Sequence, residues 1–155
     1  MSDLLLGARV SVGDIVDFSA LDHEIQELVI NGQAVREKSY SPYSKFKVGA
    51  ALLCVDGTIS AGCNMENASY PAGICAERSA ICKAVSEGKR KFKALTVVAD
   101  LDDASFTLPC GICRQTIAEF GDIPVFSARS DMKKVLRTSL QDLLPLAFNP
   151  VNSWK

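Results

Sequence analysis

Long apolar runs and an excess of charge of either sign are missing from this chain of 155 residues, and histidine occurs once. The N-terminus reads MSDLLLGARVSVGD, with an early Asp3, no basic start and an apolar run of only three leucines. That run is too short for a signal peptide, and far short of the roughly 20 apolar residues that cross a bilayer. A soluble chain in the cytosol, with no membrane partner, is therefore expected. Lys and Arg number 17 against 18 Asp and Glu, a formal net charge of −1. A nucleic-acid-binding surface normally carries a basic excess, so no nucleic-acid partner is expected. The one basic block, GKRKFK at 88 to 93, reads as a solvated turn. The single histidine, His23, lies in a polar stretch and is set aside as a ligand. No internal repeat, low-complexity tract or Pro/Gly/Ser linker divides the chain. Residues 1–18 show no clear period and read as a variable N-terminal arm; 19–155 read as one domain.

What is present is ordinary globular material, 48% hydrophobic and 23% charged. From Leu21 the positions Leu21, Ile25, Leu28, Val29 and Val35 follow helical spacing, predicting a helix that ends near Tyr40. SPYSKF is a loop, its Pro42 forcing an extended approach. KVGAALLCV and TISAGC read as two strands joined through Asp56-Gly57, a strong hairpin signal. A second helix is predicted from Cys75 to Glu87, stopping at Gly88. ALTVVAD at 94 to 100 has the continuous apolar character of a strand buried on both faces. A third helix over 112–120, a strand at IPVFSA and a short helix in SLQDLLPLAF complete the pass. This order predicts an α/β fold, a three-layer α/β/α sandwich around a mixed sheet of about five strands.

Six cysteines in a reducing compartment read as core filler or metal ligands rather than disulfides. Cys110 and Cys113 form a C-x-x-C unit at a helix start, which places both sulfurs on one face and favours thiolates. That unit alone also fits a redox dithiol or half of a structural zinc site. Cys75 opens the other helix, in PAGICAERSAIC. Residues two apart on a helix point in nearly opposite directions, about 200° around. Cys75 and Glu77 can therefore serve one site only if Cys75 stands at or before the first helical residue. Three thiolates leave zinc one ligand short, the mark of a catalytic site with a position kept for water. Cys82 lies roughly 10 Å further along the helix, too far to share the ion, and is assigned to the core. Cys54 and Cys63 fall in strand-like runs where a free cysteine is usually a small buried hydrophobe. Sequence alone leaves Cys63 open as a fourth ligand. Arg78, one turn from Cys75, and Arg114, beside Cys113, are candidate donors to the thiolate sulfurs.

The segments SPYSKFKVGAAL, GCNMENASYPAGICAERSA, KAVSEG, LPCGICRQ and DLLP stand in order between residues 39 and 148. Together they resemble the small, homotetrameric, zinc-dependent cytidine deaminases. The resemblance implies Cys75, Cys110 and Cys113 as ligands of one Zn²⁺ per chain. It makes Glu77 the proton shuttle between water, ring N3 and the departing ammonia. It implies that Asn64 and Glu66 contact ribose hydroxyls, and a strand-like spacing of two puts them on one face. Phe46 would flank the base, backbone near Ala76 and the 107–110 loop would read its edge, and Phe148 would enter a neighbouring subunit's site. Leu108 and Ser79 stand where the family often has Ser and Thr; neither is a ligand or the shuttle.

The implied activity is hydrolytic deamination of cytidine and 2′-deoxycytidine in pyrimidine salvage. A carboxylate at Glu66 accepts from a sugar hydroxyl and repels phosphate, which favours nucleosides over nucleotides. A deaminase of a related modified cytosine nucleoside is the nearest alternative, although NMEN points to an ordinary ribose. A non-catalytic zinc or redox module would need a fourth ligand and has no use for Glu77, Asn64 or Glu66. A polynucleotide deaminase needs a basic channel, and no phosphate-binding group suggests a nucleotide substrate.

Overall fold

The computed structural model describes residues 13–149. Alternation along one central strand, β2 (Gly49–Cys54), determines the layering. Successive side chains of a strand point to opposite faces. Ala50, Leu52 and Cys54 pack in one core with Ala80, Ile81 and Ile117, while Ala51 and Leu53 pack in another with Leu28 and Val29. A strand apolar at every position therefore demands helices on both sides, and it has them. α1 (His23–Arg36) covers one face, and α2 (Ala76–Ser86) and α3 (Gly111–Ala118) cover the other.

The remaining strands are β1 (Asp14–Asp17), β3 (Ile59–Cys63), β4 (Phe92–Val98), β5 (Pro124–Ala128) and β6 (Lys134–Ser139), with a one-turn helix α4 (Leu140–Leu143) after the last. Among the described residues they form one sheet in the order β1-β6-β5-β4-β2-β3. Only β4 and β5 run parallel, and α3 lies in the crossover that a parallel pair requires. The β2–β3 hairpin turns through Gly57, whose φ of +84° suits a residue without Cβ. At Gly62 the constraint is close approach. A Cβ there would stand 2.4 Å from the Ala80 backbone nitrogen, so β3 and α2 touch backbone to backbone.

The three-layer expectation is met with six strands rather than about five. β6 escaped the sequence reading because KVLRTS does not alternate cleanly; only Val135 and Thr138 are buried. β1 pairs with β6 from Asp14↔Arg137 to Asp17↔Lys134, so the last residues of the expected arm join the sheet. Residues 1–12 of that arm lie outside the described residues. β1 is short and flanked by Asp14 and Asp17, which pair across the strand edge with Arg137 (3.3 Å) and Lys134 (2.7 Å). Charged, brief edge strands discourage pairing with other chains, and they also hide from a search for apolar alternation. α1 is shorter than predicted, ending at Arg36 rather than near Tyr40. Cys82, assigned to the core, is exposed, because its position on α2 faces away from the sheet. Among the described residues no helix is long and apolar enough to cross a membrane.

Candidate active site

Two helix starts and the residues before them build the site. Cys75 is the N-cap of α2 with extended backbone (φ −75°, ψ 154°), and Cys110 is the N-cap of α3 (φ −67°, ψ 169°). Cys75 thus has the placement that lets it share a site with Glu77. Cys113 lies one turn into α3 and is buried. The three sulfurs lie within 4.8 Å of one another, with Cys75 and Cys110 3.8 Å apart. Amides at the start of α2 and its dipole favour the thiolate of Cys75.

The Arg78 guanidinium donates from Nη2 to the Cys75 sulfur over 3.7 Å. Hydrogen bonding from the Cys113 thiol, reinforced by Arg78 and Cys110, brings Cys75 down to about 5. The same hydrogen bond, together with burial, pushes the Cys113 thiol up. Glu77 is only 4% exposed. Burial pushes its carboxyl above the usual range, and the negative Cys75 adds to the effect.

The donor set fits zinc: three soft sulfurs at mutual contact, with a buried carboxyl beside them rather than a fourth thiol. The other cysteines stay apart. Cys54 is in the core, Cys82 is exposed, and Cys63 donates to the Lys38 carbonyl (3.4 Å). Arg114, expected as a donor to a thiolate, is instead spent on backbone. Its Nε donates to the Pro109 carbonyl (2.7 Å) and its Nη1 to the Leu143 carbonyl (2.8 Å). The side chain bridges α3 to α4 and ties down the loop that presents Cys110. Ser127 secures the same loop by donating to the Thr107 carbonyl (2.6 Å).

A cavity of about 550 Å³ opens over Cys75, Ala76, Glu77 and Cys110, a size that suits a small ligand. Phe46, Asn64, Glu66, Thr107 and Leu108 also line it. Asn64 and Glu66 lie just beyond β3, and both turn toward the 39–48 segment. The Asn64 amide donates to the Phe46 carbonyl (2.8 Å), and its oxygen accepts from the Val48 amide (2.9 Å) and the Ser39 hydroxyl. One hydrogen of its nitrogen is left for a ligand. Glu66 accepts from the Tyr43 amide (2.9 Å), the Ser44 amide (3.2 Å) and the Ser44 hydroxyl. The Ser44 hydroxyl, ahead of the two amides, holds its carboxyl below the usual range.

Phe148 is absent from this cavity. It is 71% exposed and lines a separate apolar groove with Val85, Ile112 and Phe120. Sequence reasoning missed the Tyr43 and Tyr70 rings, which line the cavity with centroids 6.3 Å apart, and it missed Ser44. All three stand inside segments already singled out, SPYSKF and CNMENASY, and that neighbourhood was the available signal.

Residues 23–128 match the family model described as the cytidine and deoxycytidylate deaminase zinc-binding region. A cytidine deaminase of Sporosarcina psychrophila is 49% identical over 130 residues, covering 81% of this chain and 92% of that protein. A probable cytidine deaminase of Dictyostelium discoideum is 44% identical over 126 residues, covering 81% of this chain and 84% of its own length. The crystal structure of cytidine deaminase from Burkholderia pseudomallei superposes with a TM-score of 0.75 at 43% identity, covering 83% of this chain and 100% of that one.

Proposed function

The chain belongs to the cytidine and deoxycytidylate deaminase family, and on that premise we propose that it hydrolyses cytidine and 2′-deoxycytidine to uridine and 2′-deoxyuridine with release of ammonia. The observation that carries this reading is Glu77, a carboxyl 4% exposed in the wall of a ligand-sized cavity beside three clustered thiols. Cys75, Cys110 and Cys113 would hold one zinc per chain. Bound there, zinc would supply the Lewis acidity that makes water a nucleophile near neutral pH.

The chain's own residues supply the rest. Glu77 takes a proton from the attacking water and gives it to ring N3, then moves the second proton, from the new C4 hydroxyl, to the amino group as the C4–N bond breaks and ammonia leaves. A carboxyl whose pKa is raised by burial suits this role, because it exchanges protons closer to neutral pH than an exposed one. Arg78 draws charge from the Cys75 sulfur, which offsets the excess negative charge of three thiolates. Phe46 flanks the base, and backbone at Ala76 and at 107–110 reads its edge. Asn64 and Glu66 hold sugar hydroxyls, and the Glu66 carboxylate repels a phosphate. Phe148, turned away from its own cavity, serves the site of a neighbouring subunit in a homotetramer. The product and substrate classes suit pyrimidine salvage in the cytosol.

The test is a two-substrate assay on purified, zinc-loaded protein. Cytidine and 2′-deoxycytidine should each release one ammonia per uracil nucleoside formed. Absence of turnover with both would defeat the proposal.

A further inference from the structure

We propose that Ser44 is a positioning residue that couples the sugar-facing carboxylate of Glu66 to the backbone of the base-flanking Phe46; this rests on the nucleoside reading of the cavity given above. Its hydroxyl donates to Glu66 Oε1 and at the same time accepts from the Phe46 amide (3.0 Å). Its own amide donates to Glu66 Oε2 (3.2 Å), beside that of Tyr43 (2.9 Å). An ionised carboxylate offers about four acceptor positions. Three are taken by the hydroxyl of Ser44 and the amides of Tyr43 and Ser44. What remains is essentially one direction for a sugar hydroxyl, so these contacts orient the carboxylate as well as anchor it.

The turn that makes this possible is under strain. Lys45, between Ser44 and Phe46, has φ +60°, a conformation that non-glycine residues seldom adopt. It is closed by the Lys45 amide donating to the Ser41 carbonyl (3.0 Å). The Ser44 hydroxyl therefore joins Glu66 to the Phe46 amide, while the Asn64 side chain holds the Phe46 carbonyl. Removing it leaves Glu66 held through Oε2 alone, by the Tyr43 and Ser44 amides, and leaves the Phe46 amide without this acceptor.

The experiment compares KM and kcat for cytidine in Ser44→Ala, Ser44→Thr, Glu66→Gln and the double variant Ser44→Ala/Glu66→Gln. Ser44→Ala should raise KM about tenfold, the size of one lost hydrogen bond to a charged group, with kcat within about twofold. Ser44→Thr, which keeps the hydroxyl, should recover most of the loss. In the Glu66→Gln background, Ser44→Ala should add less than about threefold, because coupled residues are not additive. Should Ser44→Ala fail to fold, Ser44→Cys, with a weak donor of similar size, should fall between parent and Ser44→Thr on one side and Glu66→Gln on the other. Glu66→Gln raising KM while Ser44→Ala leaves it unchanged would overturn the positioning role alone. Fully additive effects would do the same by assigning Ser44 a general structural role. An unchanged KM in Glu66→Gln would instead remove the sugar-contact reading, and Ser44's role with it.

Discussion

Gly62→Ala is the substitution in which the fold and the site should fail together. The added Cβ would lie 2.4 Å from the Ala80 nitrogen and 2.8 Å from both the Ser79 carbonyl carbon and its Cβ. Comfortable contacts of this kind are about 3.5 Å, so relief requires α2 to retreat by about 1 Å. No rotamer change can substitute, because two of these atoms are backbone and the third is a Cβ. Overpacking of this kind costs about 1–3 kcal/mol. At about 2–4 °C per kcal/mol for a chain of this size, the melting temperature should fall by about 2–12 °C. α2 carries Cys75 as its N-cap and Glu77 in its first turn, so its displacement should also lower kcat/KM for cytidine. Gly57→Ala provides the contrast. Its φ is +84° with no atom within 4 Å, so it should cost about 1–2 kcal/mol for the left-handed turn and leave kcat/KM at 25 °C intact. Thermal unfolding and steady-state kinetics on both variants decide the matter. A Gly62→Ala protein that melts with the parent and keeps full activity would refute the close-approach reasoning.

Three further outcomes are expected. Arg114→Lys should reduce both stability and retained zinc, because an ammonium cannot serve the Pro109 and Leu143 carbonyls in the geometry of a guanidinium; metal content after dialysis against a mild chelator is the readout. CMP should be turned over far more slowly than cytidine, and Glu66→Gln should narrow that gap; comparable turnover of both by the parent protein would remove the argument from Glu66 charge. Phe148→Ala should lose activity although Phe148 is outside its own chain's cavity, and mixing it with Glu77→Ala chains should restore part of the activity. No restoration in any mixture would count against a contribution across subunits.

The parts of this structure legible in the sequence are those whose signals are local. PAGICAERS places Gly and Pro before a helix start, and the structure puts Cys75 at the N-cap, the position that the spacing to Glu77 demands. Asp56-Gly57 marks the hairpin, and the unbroken apolar run of β4 marks a strand between two layers. Signals that depend on distant partners were not legible. β1 and β6 support one another through pairing across more than half the chain, and neither alternates well enough to stand out alone. Arg114 sits next to a metal-ligand candidate in sequence, yet the carbonyls that claim it belong to the loop before α3 and to α4. Distance from Cys75 excludes Cys82 as a ligand without saying which way it faces, and only the Ala80, Ile81 and Ala84 side of the helix faces the sheet. Ser44 carries no signature of its own; its role depends on where Glu66 arrives from β3.

The central claim is that three thiols hold the metal while Glu77 moves protons. Zinc content and cytidine turnover measured together on Glu77→Ala test it most directly. The account predicts one zinc per chain retained and turnover reduced by at least about 10²–10⁴. Loss of the zinc, or turnover close to that of the parent protein, would contradict it.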